Sequence, residues 1–193
     1  MFDLALAIIF SAMIPVILKY AHKKNLADEV ILTFNYVIAF LVSLGFTLVK
    51  LSEYQQLFKD VSKLFNLVII GIVTGILYYV AFYFYQKSVK DNGVSVSIAV
   101  GKMGIILPMI LSLVLWKEIP GVYASIGILI SMIAIGLINI NPRDFKGAHL
   151  KTSLLLFFFI GGLGDFANKL FEVVVGSDYK DLFLAIVFLS ALL

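Results

Sequence analysis

Cysteine is absent from the 193 residues, which excludes disulfides, cysteine-containing zinc sites, iron–sulfur clusters and thiol catalysis. Histidine occurs only twice, leaving little for a histidine-based metal centre, so neither a metal nor another cofactor is expected. Charge is scarce as well. Asp, Glu, Lys and Arg make up 14% of the chain, too little to solvate a globular surface of this size, and no acidic or low-complexity stretch points to disorder. The net charge of +3 comes from loop lysines, so a pI near 9.0 is no sign of nucleic-acid binding. What the chain has in excess is apolar surface: 62% hydrophobic residues, against roughly 45–50% in soluble domains, and a mean hydropathy of +1.06. The expected solvent is the lipid bilayer.

A membrane-spanning helix needs about 20 mostly apolar residues, and the charged clusters cut this sequence into pieces of that length. The pattern predicts an all-α integral membrane protein, a polytopic helical bundle with six complete transmembrane helices at about 2–20, 30–49, 66–86, 94–116, 121–140 and 152–172. A seventh begins near Leu182 and reaches Leu193 after 12 residues, about 18 Å of helix against a core of about 30 Å. On this reading the chain ends inside a helix. The first segment opens with Asp3 and carries its positive charge behind the apolar run, so it reads as a retained helix, not a secretory signal. Between Lys50 and Phe65, apolar residues recur at helical spacing among polar ones, which predicts an interfacial helix. Trp116 and Pro120 mark a tight turn between two spans.

An internal repeat is visible at an offset of 150, where Lys169 falls on Lys19, Asp178 on Asp28, Leu182 on Leu32 and Val187 on Val37. It divides the chain into a first five-helix repeat at 1–140, an inter-repeat loop at 141–151 and an incomplete start of a second repeat at 152–193. An odd number of helices turns the second copy upside down in the membrane, an inverted repeat.

Residues 93–138, GVSVSIAVGKMGIILPMILSLVLWKEIPGVYASIGILISMIAIGLI, resemble the fourth and fifth helices of the drug/metabolite transporter superfamily in its ten-helix EamA-type branch. The shared features are a proline late in the fourth helix (Pro108), a short turn holding Glu118, and a helix spaced by Gly127, Ser131 and Gly136. Lys19 falls where many members carry a lysine; where members commonly show an arginine early in helix two, this sequence has Asn35. The resemblance implies a secondary carrier with two inverted repeats around a central cavity, an exporter of metabolites, amino acids or drugs by alternating access in the cell membrane. It also implies a cytoplasmic N-terminus. The basic residues, eight in odd-numbered and six in even-numbered connections, decide little, and taken literally favour the opposite orientation.

Within the spans Lys102 stands out. It lies about 12 Å into its helix, where a lysine is costly in lipid and is expected to face a cavity, the alternative being a stem that snorkels to the interface. Gly101, Gly104 and Pro108 around it permit close helix contact and a bend. Lys19 and Lys169 are candidates for ion or proton coupling or simple interfacial anchors. Asp165, four residues before Lys169, either neutralises it as an i,i+4 pair or takes up a proton as substrate leaves. Tyr78, Tyr79 and Tyr83 either wall a substrate pocket, together with Asn35, or form an aromatic belt. Gly71 and Gly75 form a GxxxG expected to pack against another helix within the protein.

No catalytic arrangement is apparent. The GLGD of 162–165 matches a short signature of intramembrane aspartyl proteases, but that chemistry needs a second carboxylate on a facing helix, and every other aspartate falls at a terminus, loop or helix end. The expected function is transport of a small-molecule substrate across the bilayer, with a homodimer or a missing C-terminal half as partner. The alternative is a non-transporting accessory or scaffold subunit.

Overall fold

The structure, a computed structural model, describes residues 13, 17, 20, 24, 28–139 and 152–193, and the regular elements among them are all helices. Helix α1 is Asp28–Val49. A single 3-10 turn, Leu51–Tyr54, and the short α2, Gln55–Lys59, lead into the long α3, Val61–Asn92. Then come α4 (Val94–Met103), α5 (Ile106–Trp116), α6 (Val122–Asn139), α7 (Thr152–Val174) and, after a 3-10 turn at Ser177–Tyr179, α8 (Lys180–Leu192). Four stretches are long and apolar enough to cross a membrane: Glu29–Val49, Val61–Asn92, Val94–Trp116 and Thr152–Val174. They coincide with four of the six expected spans. An 18-residue apolar helix, α6, occupies the place of the fifth, and most of the first lies outside the described residues, as do Lys19 and the connection at 141–151.

The expected interfacial helix between Lys50 and Phe65 is divided. Asp60 leaves helical geometry at φ −93°, ψ 87°, and its Oδ1 accepts a hydrogen bond from the Lys63 backbone N–H at 3.1 Å, capping a new helix. Val61, Leu64 and Phe65 therefore belong to the membrane helix α3, while Tyr54 and Leu57 are buried beneath the short segment.

The reversal between α3 and α4 takes one residue, Gly93, whose φ of +85° is open to glycine and strained for most others. Ser88 and Ser97 close this hairpin with a buried hydroxyl pair at 2.7 Å. At the same end Ser153 Oγ donates to Asp91 Oδ2 at 2.8 Å, which sets the start of α7 level with the start of α4.

Helix α7 runs antiparallel to α3, and α8 lies between α1 and α3, as the contacts 85 to 157 and 67 to 171, 75 to 187 and 36 to 188 require. Lipid is as apolar as a leucine side chain, so these helices are held by close packing and not by exclusion from water. Gly71 and Gly75 make that packing possible. A Cβ on Gly71 would stand 2.8 Å from Ile186 Cγ2, and one on Gly75 2.3 Å from the Val187 carbonyl oxygen. The GxxxG is thus an internal contact face, as its sequence suggests. Beside it Leu67, Phe171, Phe183 and Val187 form a dry core in which the Phe171 and Phe183 rings stack at 3.9 Å.

Candidate functional site

Proline 108 has no N–H to give to the Gly104 carbonyl, and its ring crowds that carbonyl out of line. The fourth span accordingly breaks at Gly104 and Ile105, where the backbone changes to i to i+3 hydrogen bonds: Gly104 N–H to the Gly101 carbonyl and Leu107 N–H to the Gly104 carbonyl, both at 3.0 Å. The bend expected from sequence is therefore a short 3-10 turn between α4 and α5, through which Gly104 and Ile105 keep right-handed helical dihedrals and 94–116 remains one span. Irregular backbone inside a membrane is tolerated where it faces protein or a cavity, and here it faces α7. A Cβ on Gly162 would meet the Gly104 carbonyl oxygen at 2.7 Å, and one on Gly101 would meet the Phe157 ring at 2.4 Å.

The break leaves Lys102 in the last turn of α4, where a cation suits the unpaired carbonyls of a helix end. The two helices α4 and α5 run parallel to α7 along one stripe. Gly162 meets Gly104 and Leu107, Phe166 stacks on Trp116 at 5.7 Å, and Lys169 reaches Glu118 at 3.1 Å. Asp165 belongs to that stripe by its spacing, and its carboxylate interacts electrostatically with the Lys102 ammonium. At 1.5 Å per residue Lys102 lies about 12 Å and Asp165 about 20 Å from a common helix-start level, the middle third of a core of about 30 Å. Both side chains are accessible.

A hydroxyl and an amide complete the cluster. Asn168 Nδ2 donates to the Tyr78 hydroxyl and also to the Gly164 carbonyl at 3.2 Å, so the amide is held in one orientation between α7 and α3. Tyr78 fits because Gly164 opposes it: a Cβ there would stand 2.9 Å from the ring. Tyr36 is buried on α1, its ring against Phe82 and Phe188.

Of the residues singled out from sequence, Lys102, Asp165 and Tyr78 come together. Tyr79, 43% exposed, stands at the margin of the cluster. Tyr83, 50% exposed and edge-on to Phe84, lies on the outer face of α3 with it. Asn35 is exposed, and its neighbour Tyr36 is the one turned inward. Of the two readings of Asp165, neutralisation of Lys169 is the one the geometry does not favour. The ion pair of Lys169 is with Glu118, because the turn after α5 brings that carboxylate up to α7, while Asp165 lies within the electrostatic reach of Lys102. Lys19 lies outside the described residues. Asn168 and Tyr36 were missed. A lone amide three residues after Asp165 in an apolar span was a usable signal for Asn168; Tyr36 gave none against an adjacent asparagine.

A mostly apolar cleft of about 410 Å³ starts at the break, between Ile105, Pro108, Met109 and Ser112 on one side and Ile128 of α6 on the other, and ends at the Glu118–Lys169 pair. Lys102 and Asp165 do not line it.

A family model described as EamA-like transporter matches residues 2–140, more than half of the chain. The chain belongs to the EamA-like transporter family. The resemblance seen in residues 93–138 thus holds at family level, and the chain is a membrane protein of a transporter family. The matched region contains Tyr78, Lys102 and the Pro108 break, whereas Asp165 and Asn168 lie beyond it. An uncharacterized protein of Haemophilus influenzae is 26% identical over 148 residues, covering 77% of this chain and 50% of the relative. The chain thus spans about half the length of the curated relative it matches. No solved structure matches it.

Proposed function

We propose that this protein is a secondary carrier that exports a small polar metabolite, amino acid or drug across the cell membrane by alternating access, with its binding site at Lys102, Asp165, Tyr78 and Asn168. The observation that carries this reading is the placement of two opposite charges, Lys102 and Asp165, on separate helices in the middle third of the membrane, with the Tyr78–Asn168 hydrogen bond about one turn beyond Asp165. Interrupted helices whose ends face polar groups are how membrane carriers hold hydrophilic solutes away from lipid. Membership of a transporter family supports it. An accessory or scaffold role gives no reason to keep opposite charges at that depth, where each is costly alone.

An inverted five-helix repeat over 1–140, with 152–193 opening its second copy, is part of the proposal. Helices α1 and α8, counterparts under the 150-residue offset, pack side by side and antiparallel, as inversion requires. The relative, twice as long as the stretch it shares, supports a working carrier with further helices, from a second copy of the chain or from a longer one.

The test is solute counterflow in proteoliposomes over a chemically mixed panel, with Lys102→Met as the decisive variant. Methionine keeps length and apolar bulk while removing the charge, so the melting temperature in detergent should hold or rise. Transport should fall about tenfold or more, with Lys102→Arg restoring part of it. Transport undiminished in Lys102→Met refutes the assignment of the site.

A further inference from the structure

We infer that the cleft along α5 is a lipid site: it holds one acyl chain of an anionic phospholipid, with the phosphate at the lysines beside the turn that ends α5. The site is separate from the solute site proposed above, and neither Lys102, Asp165, Tyr78 nor Asn168 lines it. The cleft is a gap inside a helical hairpin. Helices α5 and α6 are joined by only the five residues 117–121, yet among the described residues α6 packs on α4 rather than along α5, while α5 leans on α7 through Leu107 and Trp116. The wedge left between them measures about 410 Å³, within the range of about 300–1,000 Å³ typical of ligand-holding pockets. Its length is that of one leaflet. Helix α5 has 11 residues, about 16 Å, against half of a core of about 30 Å, and Trp116 at its end marks the interface. The apolar walls thus lie at the depth of acyl chains, and the Lys169–Glu118 pair at the depth of headgroups.

Charge at the mouth selects the headgroup. Lys117, exposed in the turn, and Lys169 stand at this level against one carboxylate, Glu118, while the neighbouring Glu172 and Lys180 answer each other at 3.9 Å. The excess is one positive charge. A lysine ammonium carries three donors, of which Glu118 takes one from Lys169 at 3.1 Å. Both side chains of that pair are partly exposed, 34% and 49%, so a phosphate can join it without parting it. Phosphatidylglycerol brings one negative charge and balances the excess. The choline of phosphatidylcholine instead adds a cation where cations already outnumber carboxylates. A basic residue at the membrane surface strengthens the attraction to anionic lipid by about fivefold.

Trp116 is the only tryptophan in the chain and follows Ser112 of the cleft by one helical turn, so its fluorescence reports on this place alone. The purified chain is placed in phosphatidylcholine nanodiscs with a graded fraction of phosphatidylglycerol or phosphatidylcholine brominated on the acyl chains, which quenches a tryptophan at short range. Brominated phosphatidylglycerol should reach half-maximal quenching at a mole fraction about fivefold below brominated phosphatidylcholine. Lys117→Asn, which suits the left-handed backbone there at φ 55°, and Lys169→Gln should each erase that preference. Glu118→Gln should widen it by about another fivefold, a change opposite in sign that general damage to the turn would not give. Ile128→Phe fills the cleft and should remove the selective quenching, and Met109→Phe replaces it if melting shows that the variant has not folded. Equal quenching by the two lipids in the wild type means ordinary boundary lipid and overturns the inference. A preference that survives the loss of either lysine or the filling of the cleft places the lipid elsewhere, and quenching by neither lipid means that protein fills the cleft; each of these overturns it as well.

Discussion

Helix α3 presents two seams of opposite character. Towards α8 it offers Gly71 and Gly75, and the contact is dry, backbone against backbone, with Phe171 and Phe183 stacked beside it. Towards α7 it offers Tyr78, and the contact runs through a hydroxyl, an amide and the groups leading to Asp165 and Lys102. Glycines occur in both seams, but to different ends. In the first they bring helices close enough for dispersion forces to hold them; in the second, Gly164 makes room for the Tyr78 ring. The dry seam should carry stability, and the polar seam should carry function.

The dry seam gives the largest expected effect. Gly75→Ala places a methyl group 2.3 Å from the Val187 carbonyl oxygen, a backbone atom that cannot move aside without shifting α8. We expect destabilisation of about 1–3 kcal/mol or more. Gly45, on α1, has nothing within 4 Å of its would-be Cβ, so Gly45→Ala should stabilise by the ordinary helix preference, about 0.5–1 kcal/mol. Thermal melting in detergent compares the two. Equal shifts of the same sign would remove the distinction between a packing glycine and an incidental one.

The contrast also marks what the sequence could disclose. Helices and their approximate limits follow from apolar runs between charges, because the bilayer forces every backbone group into a helix. The GxxxG and the Pro108 bend were legible for a similar reason, each being a local backbone property. Partnerships were not. The four-residue spacing of Asp165 and Lys169 suggested a pair as one reading, yet whether such a pair forms depends on what the neighbouring elements offer, and the turn after α5 offered Glu118 to Lys169 while Asp165 came under the charge of Lys102. The aromatic run at 78–85 divided in the same way. Tyr78 and Tyr85 turn inward while Tyr79 and Tyr83 stay exposed, a choice made by the packing of α7. Asn35 and Tyr36 show the limit most plainly, since one residue of register on α1 exchanges an outward amide for an inward phenol.

A smaller effect is expected in the polar seam. Tyr78→Phe removes the hydroxyl that accepts from Asn168 but keeps the ring against Gly164, and the amide retains its bond to the Gly164 carbonyl. Stability should fall by only about 0.5–1.5 kcal/mol, the net worth of one hydrogen bond. Solute transport should fall by more than that loss explains, since the amide is then held by one bond instead of two. A variant that loses stability and transport in proportion would make Tyr78 a packing residue, and the two seams would differ only in composition.

The smallest effect belongs to the end of the α1–α8 contact, outside the spans. Lys50 donates to Asp181 Oδ2 at 2.5 Å, tying the end of α1 to the start of α8 above the buried Tyr54. The hydrogen bond and charge of Asp181 push the Lys50 ammonium above its usual range. A group whose basicity rises on folding contributes stability that is fully present below the unfolded lysine value, about 10.4, and is lost as pH climbs through the higher folded one. Lys50→Met should therefore melt slightly below the wild type, by a gap that is constant from neutral pH to about 10 and closes above it. Burial pushes the Tyr54 hydroxyl up as well, so alkali weakens both proteins through that group, and the difference between them isolates Lys50. Because the pair is partly exposed to solvent, salt should shrink the gap at neutral pH. A gap that persists unchanged above pH 11 and in high salt would mean that the lysine stem, not its charge, holds the two helices together at this end.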